Sequence, residues 1–242
     1  MFRPGVAVQA PQANNHDREV CQVVIIFQDR RQAGRAVAQI LRDELHEALD
    51  PLNAIVLGLP RGGVPVAFEV ARELQLPLDI FIVRKLGVPG QEELAMGAVA
   101  SGGLVVVQNE VIGAHSIREE TLDAIIAREQ LEIERREIAY RRGRPPVSLA
   151  GRIAILVDDG LATGSSMKAA ARSLRPIARH VIVAVPVAAV STREDLRPEV
   201  DNIICVETPD PFHAVGEFYR NFDQTSDDQV RALLAHAWRI SG

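Results

Sequence analysis

The chain has 242 residues, 47% of them apolar, a formal net charge of −5 and two cysteines. Length and apolar content suit one large domain with a true core. The acidic balance argues against a broad nucleic-acid footprint, the cysteine count against a disulfide framework or zinc spacing, and the lack of a run of about 18 apolar residues against a membrane span.

Residues 1–20 are polar, with Pro4, Pro11, Asn14 and Asn15, and read as a mobile leader; without the apolar core of a secretion signal, the expected location is the cytoplasm. Cys21 and Cys205 sit in apolar runs and read as small buried hydrophobes. Val23 to Phe27 is a short apolar run at a sheet edge or covering the sheet. Asp29 can cap a helix over Arg30 to Leu49, where Ala33, Val37, Ile40, Leu41 and Leu45 fall on one face and Pro51 marks the end. Asp29, Arg30 and Arg31 could reach a ligand, but read first as capping and surface residues.

Ala54 to Leu59 reads as the first central strand, followed by Pro60-Arg61-Gly62-Gly63 and a helix from Val64-Pro65 to about Leu74. Two glycines between strand and helix permit close backbone approach to an anion, and Arg61 adds a charge-assisted donor. The loop is neither a Walker loop nor a dinucleotide turn. Asp79 to Val83 reads as the second central strand, with Arg84 and Lys85 at its end. Lys85 and Lys168 are the only lysines in a chain whose other basic side chains are arginine. Gly87, Pro89 and Gly90 predict a flexible segment. Glu92 to Ala100 and Gly103 to Val107 form a hairpin turned at Ser101-Gly102-Gly103.

Ser116 with Glu119 makes a capping box for a charged helix ending near Tyr140, with Leu122, Ile125, Ile126, Ile133 and Ile138 as its apolar stripe. It reads as a helical arm, inserted over 108–145, that covers the site or pairs with a second subunit. Arg141, Arg142 and Arg144 suit a helix C-terminus, so nucleic acid is not an expected partner.

Ile153 to Val157 is a buried parallel strand. Asp158-Asp159-Gly160 follow, then Leu161-Ala162-Thr163-Gly164-Ser165-Ser166 and helix formers from Met167 to Leu174. In an open parallel sheet, ligands bind beyond the carboxyl ends of the strands, and a helix N-terminus favours an anion. The loop lets a phosphate approach the backbone, while two carboxylates can accept from two sugar hydroxyls. A sugar phosphate is the expected ligand; the alternative is a strand-to-helix turn whose aspartates cap the helix. His180 to Val187 and Ile203 to Val206 are further strands, Thr192 to Leu196 is a helical turn, and Ser226 to Ile240 is a closing helix. Phe212, in the run Thr208 to Tyr219, suits either an aromatic base or a packed core.

The stretch Val157-Asp158-Asp159-Gly160-Leu161-Ala162-Thr163-Gly164-Ser165 resembles the ribose-phosphate signature of type I phosphoribosyltransferases. Gly160 departs from it, the family usually having an apolar residue there, and relaxes the backbone. The likeness to an uncharacterised bacterial branch runs from Asp29-Arg30 to the Phe-x-Gln-Thr-x-Asp tail. It implies an α/β fold with a central, mostly parallel sheet flanked by helices, the inserted arm and a small C-terminal hood over 207–225, within a domain over 21–242. It also implies 5-phosphoribosyl 1-diphosphate (PRPP) as ligand. Ala162, Thr163, Gly164, Ser165 and Ser166 would hold the 5-phosphate, with Asp158 and Asp159 on the ribose hydroxyls. Arg61, Gly62, Gly63, Arg84 and Lys85 would meet the diphosphate, and Phe212 the base; a mobile loop after Lys85 would close over the centre. Lys85, Asp158 and Asp159 are the candidate catalytic residues.

The implied reaction moves a phosphoribosyl group between PRPP and a small-molecule nitrogen nucleophile, with diphosphate leaving and Mg²⁺ as cofactor. No residue is a direct metal ligand; Asp158 and Asp159 would meet the ion through water. A homodimer is implied. A PRPP- or nucleotide-sensing regulator without turnover is the alternative.

Overall fold

The computed structural model describes residues 26–45 and 49–240. In chain order its elements are α1 (Arg30–Leu45), β1 (Ala54–Gly58), α2 (Gly63–Leu74), β2 (Leu78–Ile80), β3 (Val83–Val88), β4 (Gln91–Ala100), β5 (Leu104–Val107), α3 (Asn109–Ala114), α4 (Glu119–Arg141), β6 (Ile153–Val157), α5 (Ser165–Leu174), β7 (His180–Val187), α6 (Val190–Leu196), β8 (Asn202–Glu207) and α7 (Asp227–Ile240). The leader, Cys21 and the start of the Val23 to Phe27 run lie outside the described residues. Phe27 itself is buried and bridges to Tyr219.

The five parallel strands stand in the order β2-β1-β6-β7-β8. Strand side chains alternate between faces. Ala54 and Val56 of β1 join Ile153 and Ile155 of β6 in a core shared with α1, α2 and α7. Their neighbours Ile55, Leu57, Ala154 and Leu156 meet Met167, Ala170 and Leu174 of α5 on the other side. The chain winds from β1 outward to β2, then returns and winds from β6 to β7 and β8 in the opposite direction. Strand order therefore reverses between β1 and β6, and the crevice beyond their carboxyl ends is the expected ligand site.

Three elements differ from expectation. The second central strand stops at Ile80; Arg84 and Lys85 lie instead on β3, in a separate antiparallel sheet ordered β3-β4-β5. The chain changes sheets at Phe81, whose N–H still donates to Gly58, whereas Ile82 already pairs with Ser101. The Gly87-to-Gly90 segment is the bulged end and turn of the β3–β4 hairpin rather than a loose loop. The capping box does not form: Ser116 has φ 50°, and α4 starts at Glu119 behind Arg118.

The buried stripe of α4 passes through Glu129, Ile133 and Tyr140, while Ile138 is 71% exposed. Five residues beyond Ile133, Ile138 is rotated about 140° around the axis. At the end of α4, Arg141 is buried, its Nε 3.0 Å from Asp79 Oδ1 of β2. Arg144 lies over the Trp238 ring at 5.0 Å. These two arginines brace α4 against β2 and α7.

Candidate active site

At the switch point Gly58 and Val157 are paired across β1 and β6, and the Leu59 N–H donates to the Val157 carbonyl at 3.0 Å. The chain then turns through Pro60-Arg61-Gly62-Gly63, with a cis peptide between Pro60 and Arg61. Gly62 has ordinary helical angles, φ −62° and ψ −34°, so its lack of a side chain answers to space. A Cβ there would lie 2.1 Å from Asp159 Oδ2, and one on Gly63 would lie 2.6 Å from the Val157 carbonyl oxygen. The glycine turn lies flat against the acidic pair.

Asp158 Oδ1 accepts the Asp159 N–H at 2.9 Å. Burial, with the Asp159 carboxylate adjacent, holds the Asp158 carboxyl well above the usual aspartate range. Burial also raises Asp159, and the Arg30 guanidinium works against that rise. Arg30 donates from Nε to Asp159 Oδ2 at 2.9 Å, and its Nη2 lies 2.9 Å from the same oxygen in an ion pair. Its Nη1 donates to the Asp223 carbonyl at 2.7 Å, and its guanidinium carbon lies 4.0 Å from the Phe222 ring centre. The Tyr219 hydroxyl donates to the Asp159 backbone carbonyl at 2.6 Å. Asp29 caps α1 as expected, accepting the Gln32 N–H at 2.9 Å. The cap starts α1 where Arg30 reaches inward to Asp159, beyond the end of β6, a role the sequence does not announce.

Lys85 meets the other end of the same loop. It lines a cavity of about 590 Å³ together with Thr163, Ser165, Ser166, Lys168 and Arg172. The Lys85 Nζ donates to both the carbonyl and the carboxylate of Glu93, each at 3.1 Å. Arg84, one residue away on a strand, projects to the opposite side. There it pairs with Glu129 of α4 at 2.7 Å, so the structure does not bring Arg84 to this cavity.

Within the loop between β6 and α5, Gly164 has φ 65° and precedes α5 with no side-chain cap. Ser165 Oγ donates to Thr163 Oγ1 at 3.4 Å, and the Ala162 carbonyl accepts from the Thr192 hydroxyl. Neither aspartate caps α5. Gly160 answers to packing rather than backbone freedom: a Cβ there would sit 2.6 Å from Val215 and 2.9 Å from Val187. Phe212 is stacked on Phe218, with ring centroids 5.4 Å apart, against the cluster of Phe27 and Tyr219. Arg61 is exposed, 3.8 Å from Asp227 of α7. The fold thus joins Gly62, Gly63, Asp158 and Asp159 in contact, and Lys85 with Thr163, Ser165 and Ser166 around one cavity. Arg61 and Phe212 belong to neither group.

Among the described residues, no group of three or more His, Cys, Asp or Glu could hold a metal ion. The two aspartates suit an ion that arrives with ligand oxygens and water rather than one caged by protein.

Residues 26–223 match the phosphoribosyl transferase domain family. The chain belongs to that family. It is 40% identical to TT1426 from Thermus thermophilus, whose crystal structure superposes with a TM-score of 0.78 over 88% of this chain and 99% of that one. Two Mycobacterium tuberculosis proteins, from strains CDC 1551 / Oshkosh and ATCC 25618 / H37Rv and provisionally named phosphoribosyl transferases, are each 46% identical over 215 residues. That match covers 88% of this chain and 47% of theirs, so the chain spans about half the length of these relatives. Family membership agrees with the α/β fold expected from the Asp158-Asp159 stretch. Among the described residues, no helix is long and apolar enough to cross a membrane.

Proposed function

We propose that the protein is a phosphoribosyltransferase that moves the 5-phosphoribosyl group between PRPP and a nitrogenous base or similar nucleophile, releasing diphosphate. One observation carries this reading: at the switch point, a glycine turn lies directly on Asp159, while the loop leaving Asp159 supplies Thr163, Ser165 and Ser166 to the cavity that holds Lys85. A glycine turn open to an anion, carboxylates for a diol, and a cation beside a hydroxyl-rich helix start match the parts of a ribosyl phosphate ester.

In this reading Asp158 and Asp159 orient the ribose, Ala162 to Ser166 hold the 5-phosphate, and Gly62, Gly63 and Arg61 receive the diphosphate. Lys85 leaves Glu93 to meet developing negative charge. Positioning and charge stabilisation then carry the chemistry. Mg²⁺, when bound, would neutralise charge on the diphosphate, and Asp158 and Asp159 would hold it through water. Phe212 would turn from Phe218 to meet the acceptor. The hood over 207–225 and the arm over 108–145 are parts of the same proposal, as is a homodimer, which the exposed Leu131 and Ile138 of α4 support.

The test is diphosphate release from PRPP and Mg²⁺ with a panel of bases. Release by the wild type, lost in a folded Asp159→Asn variant, supports the proposal. PRPP binding without release on any base assigns the site to a sensor, and the absence of PRPP binding refutes both.

A further inference from the structure

Among the described residues, Arg30 is the one charged side chain from another element hydrogen-bonded to the acidic pair, and its surroundings fix it on every side. Two of its donors meet a single oxygen, Asp159 Oδ2, and a third meets the Asp223 carbonyl. Its face rests on Phe222, which in turn stacks on Tyr219 with centroids 4.9 Å apart. The side chain is 12% exposed. The tail that carries Phe222 is laid against the start of α1 by backbone bonds from Arg220 to Phe27 and from Asn221 to Gln28, each 2.8–3.0 Å. Tyr219 grips the Asp159 main chain from the same tail. Asp159 is therefore held at its backbone by the segment that precedes α7 and at its carboxylate by the first turn of α1. Gly62 closes the remaining side near Oδ2. Among the described residues, no other residue donates a hydrogen bond to Oδ1.

We propose that Arg30 is a positioning residue: it engages Oδ2 so that Oδ1 of Asp159 is the oxygen presented to a ribose hydroxyl. This rests on the reading of Asp159 as a ribose ligand. A carboxylate with one oxygen committed to a hydrogen bond and an ion pair from the same guanidinium has lost its free rotation, and the ordering cost of binding a diol is met before the ligand arrives. A mere strut between tail and helix would need no contact with the carboxylate.

The experiment is a double-mutant cycle on PRPP affinity, measured by titration calorimetry in Mg²⁺ with Arg30→Gln, Asp159→Asn and both together. Arg30→Gln is expected to weaken PRPP about ten-fold, the scale of one charged hydrogen bond. The double variant is expected to bind no more weakly than Asp159→Asn alone, since Arg30 acts through that carboxylate. Arg35→Gln, on the outer face of the same helix, is expected to leave affinity unchanged. If Arg30→Gln does not fold, Arg30→Lys replaces it, keeping the charge but not the fork, and the same non-additivity is expected. Multiplicative losses in the double variant, or wild-type affinity in the single one, overturn the inference while leaving the transferase reading intact. A wild type that does not bind PRPP overturns that reading, and the role of Arg30 falls with it.

Discussion

Adding one methyl group at Gly62 tests the contact on which the site depends. The backbone there is ordinary, so Gly62→Ala introduces no dihedral strain. What it introduces is a Cβ 2.1 Å from Asp159 Oδ2 and 2.7 Å from Asp159 Cγ. A lone flexible carboxylate would swing aside. This one is held by a 2.9 Å hydrogen bond and an ion pair from Arg30, and it must retreat by more than an ångström to reach ordinary contact at 3.4 Å. Overpacking of this kind costs about 1–3 kcal/mol. For a domain of this size that lowers Tm by roughly 2–4 °C per kcal/mol. The displaced carboxylate is also the proposed ribose ligand, so PRPP affinity should fall by about ten-fold or more, equivalent to ~1.4 kcal/mol. Scanning calorimetry and PRPP titration read the two effects separately. Gly113→Ala is the control: its Cβ would meet nothing within 4 Å, and it lies within a helix, α3, where alanine is preferred by about 1 kcal/mol. A Gly62→Ala protein with wild-type Tm and wild-type PRPP affinity would refute the packing of the turn on Asp159.

Two further perturbations probe the frame and the acidic pair. Arg141→Met leaves Asp79, 4% exposed, without its cation, and should cost about 3–5 kcal/mol in urea unfolding, because a buried charge loses its partner; a shift under about 1 kcal/mol would mean that α4 is not anchored there. Asp158→Asn should raise Tm at neutral pH: the folded state holds the Asp158 proton more tightly than the unfolded chain does, so the favourable contribution is full below the ordinary value of 3.8 and is lost as pH rises through the folded pKa. The variant's advantage should therefore fade toward acid, and a Tm difference that does not vary with pH would contradict the burial of that carboxyl. Its PRPP affinity should be lost at the same time, as expected where a site is kept at the expense of stability.

The fold was legible where the chain keeps one period for a whole element. Ala54 to Gly58, Ile153 to Val157 and Val181 to Val187 are apolar on both faces because helices cover both faces, and continuous apolar runs rich in Val and Ile state that plainly. The Asp79-to-Val83 expectation failed because apolar character continues from Leu78 through Val83 while the hydrogen-bond partner changes. Composition records burial, not which sheet does the burying, so Ile80 and Ile82 look alike although they serve different sheets. The stripe of α4 misled for a related reason: Glu129 is one of its buried positions, and a carboxylate there reads as solvent-facing until Arg84 and Arg128 are seen to close on it.

The site divides along the same line. Glycines and adjacent aspartates advertise themselves, because close backbone approach and paired carboxylates have few other uses in that position. Arg30 did not, since an arginine at the start of a capped helix is common and its value lies entirely in what the fold sets opposite it. Asp159 is 129 residues away in the chain, and Phe222 and Asp223, which complete the arginine's cage, lie near the end. The tail from Tyr219 to Asp223 thus does more than pack against the start of α1. By gripping Asp159 at its carbonyl and Arg30 at its guanidinium, it couples its own docking to the geometry of the carboxylate. Loosening that tail should therefore cost PRPP affinity before it costs the parallel sheet, because α1 and α2 pack on the sheet through Val37, Leu41, Val64 and Val66, none of which depends on the tail.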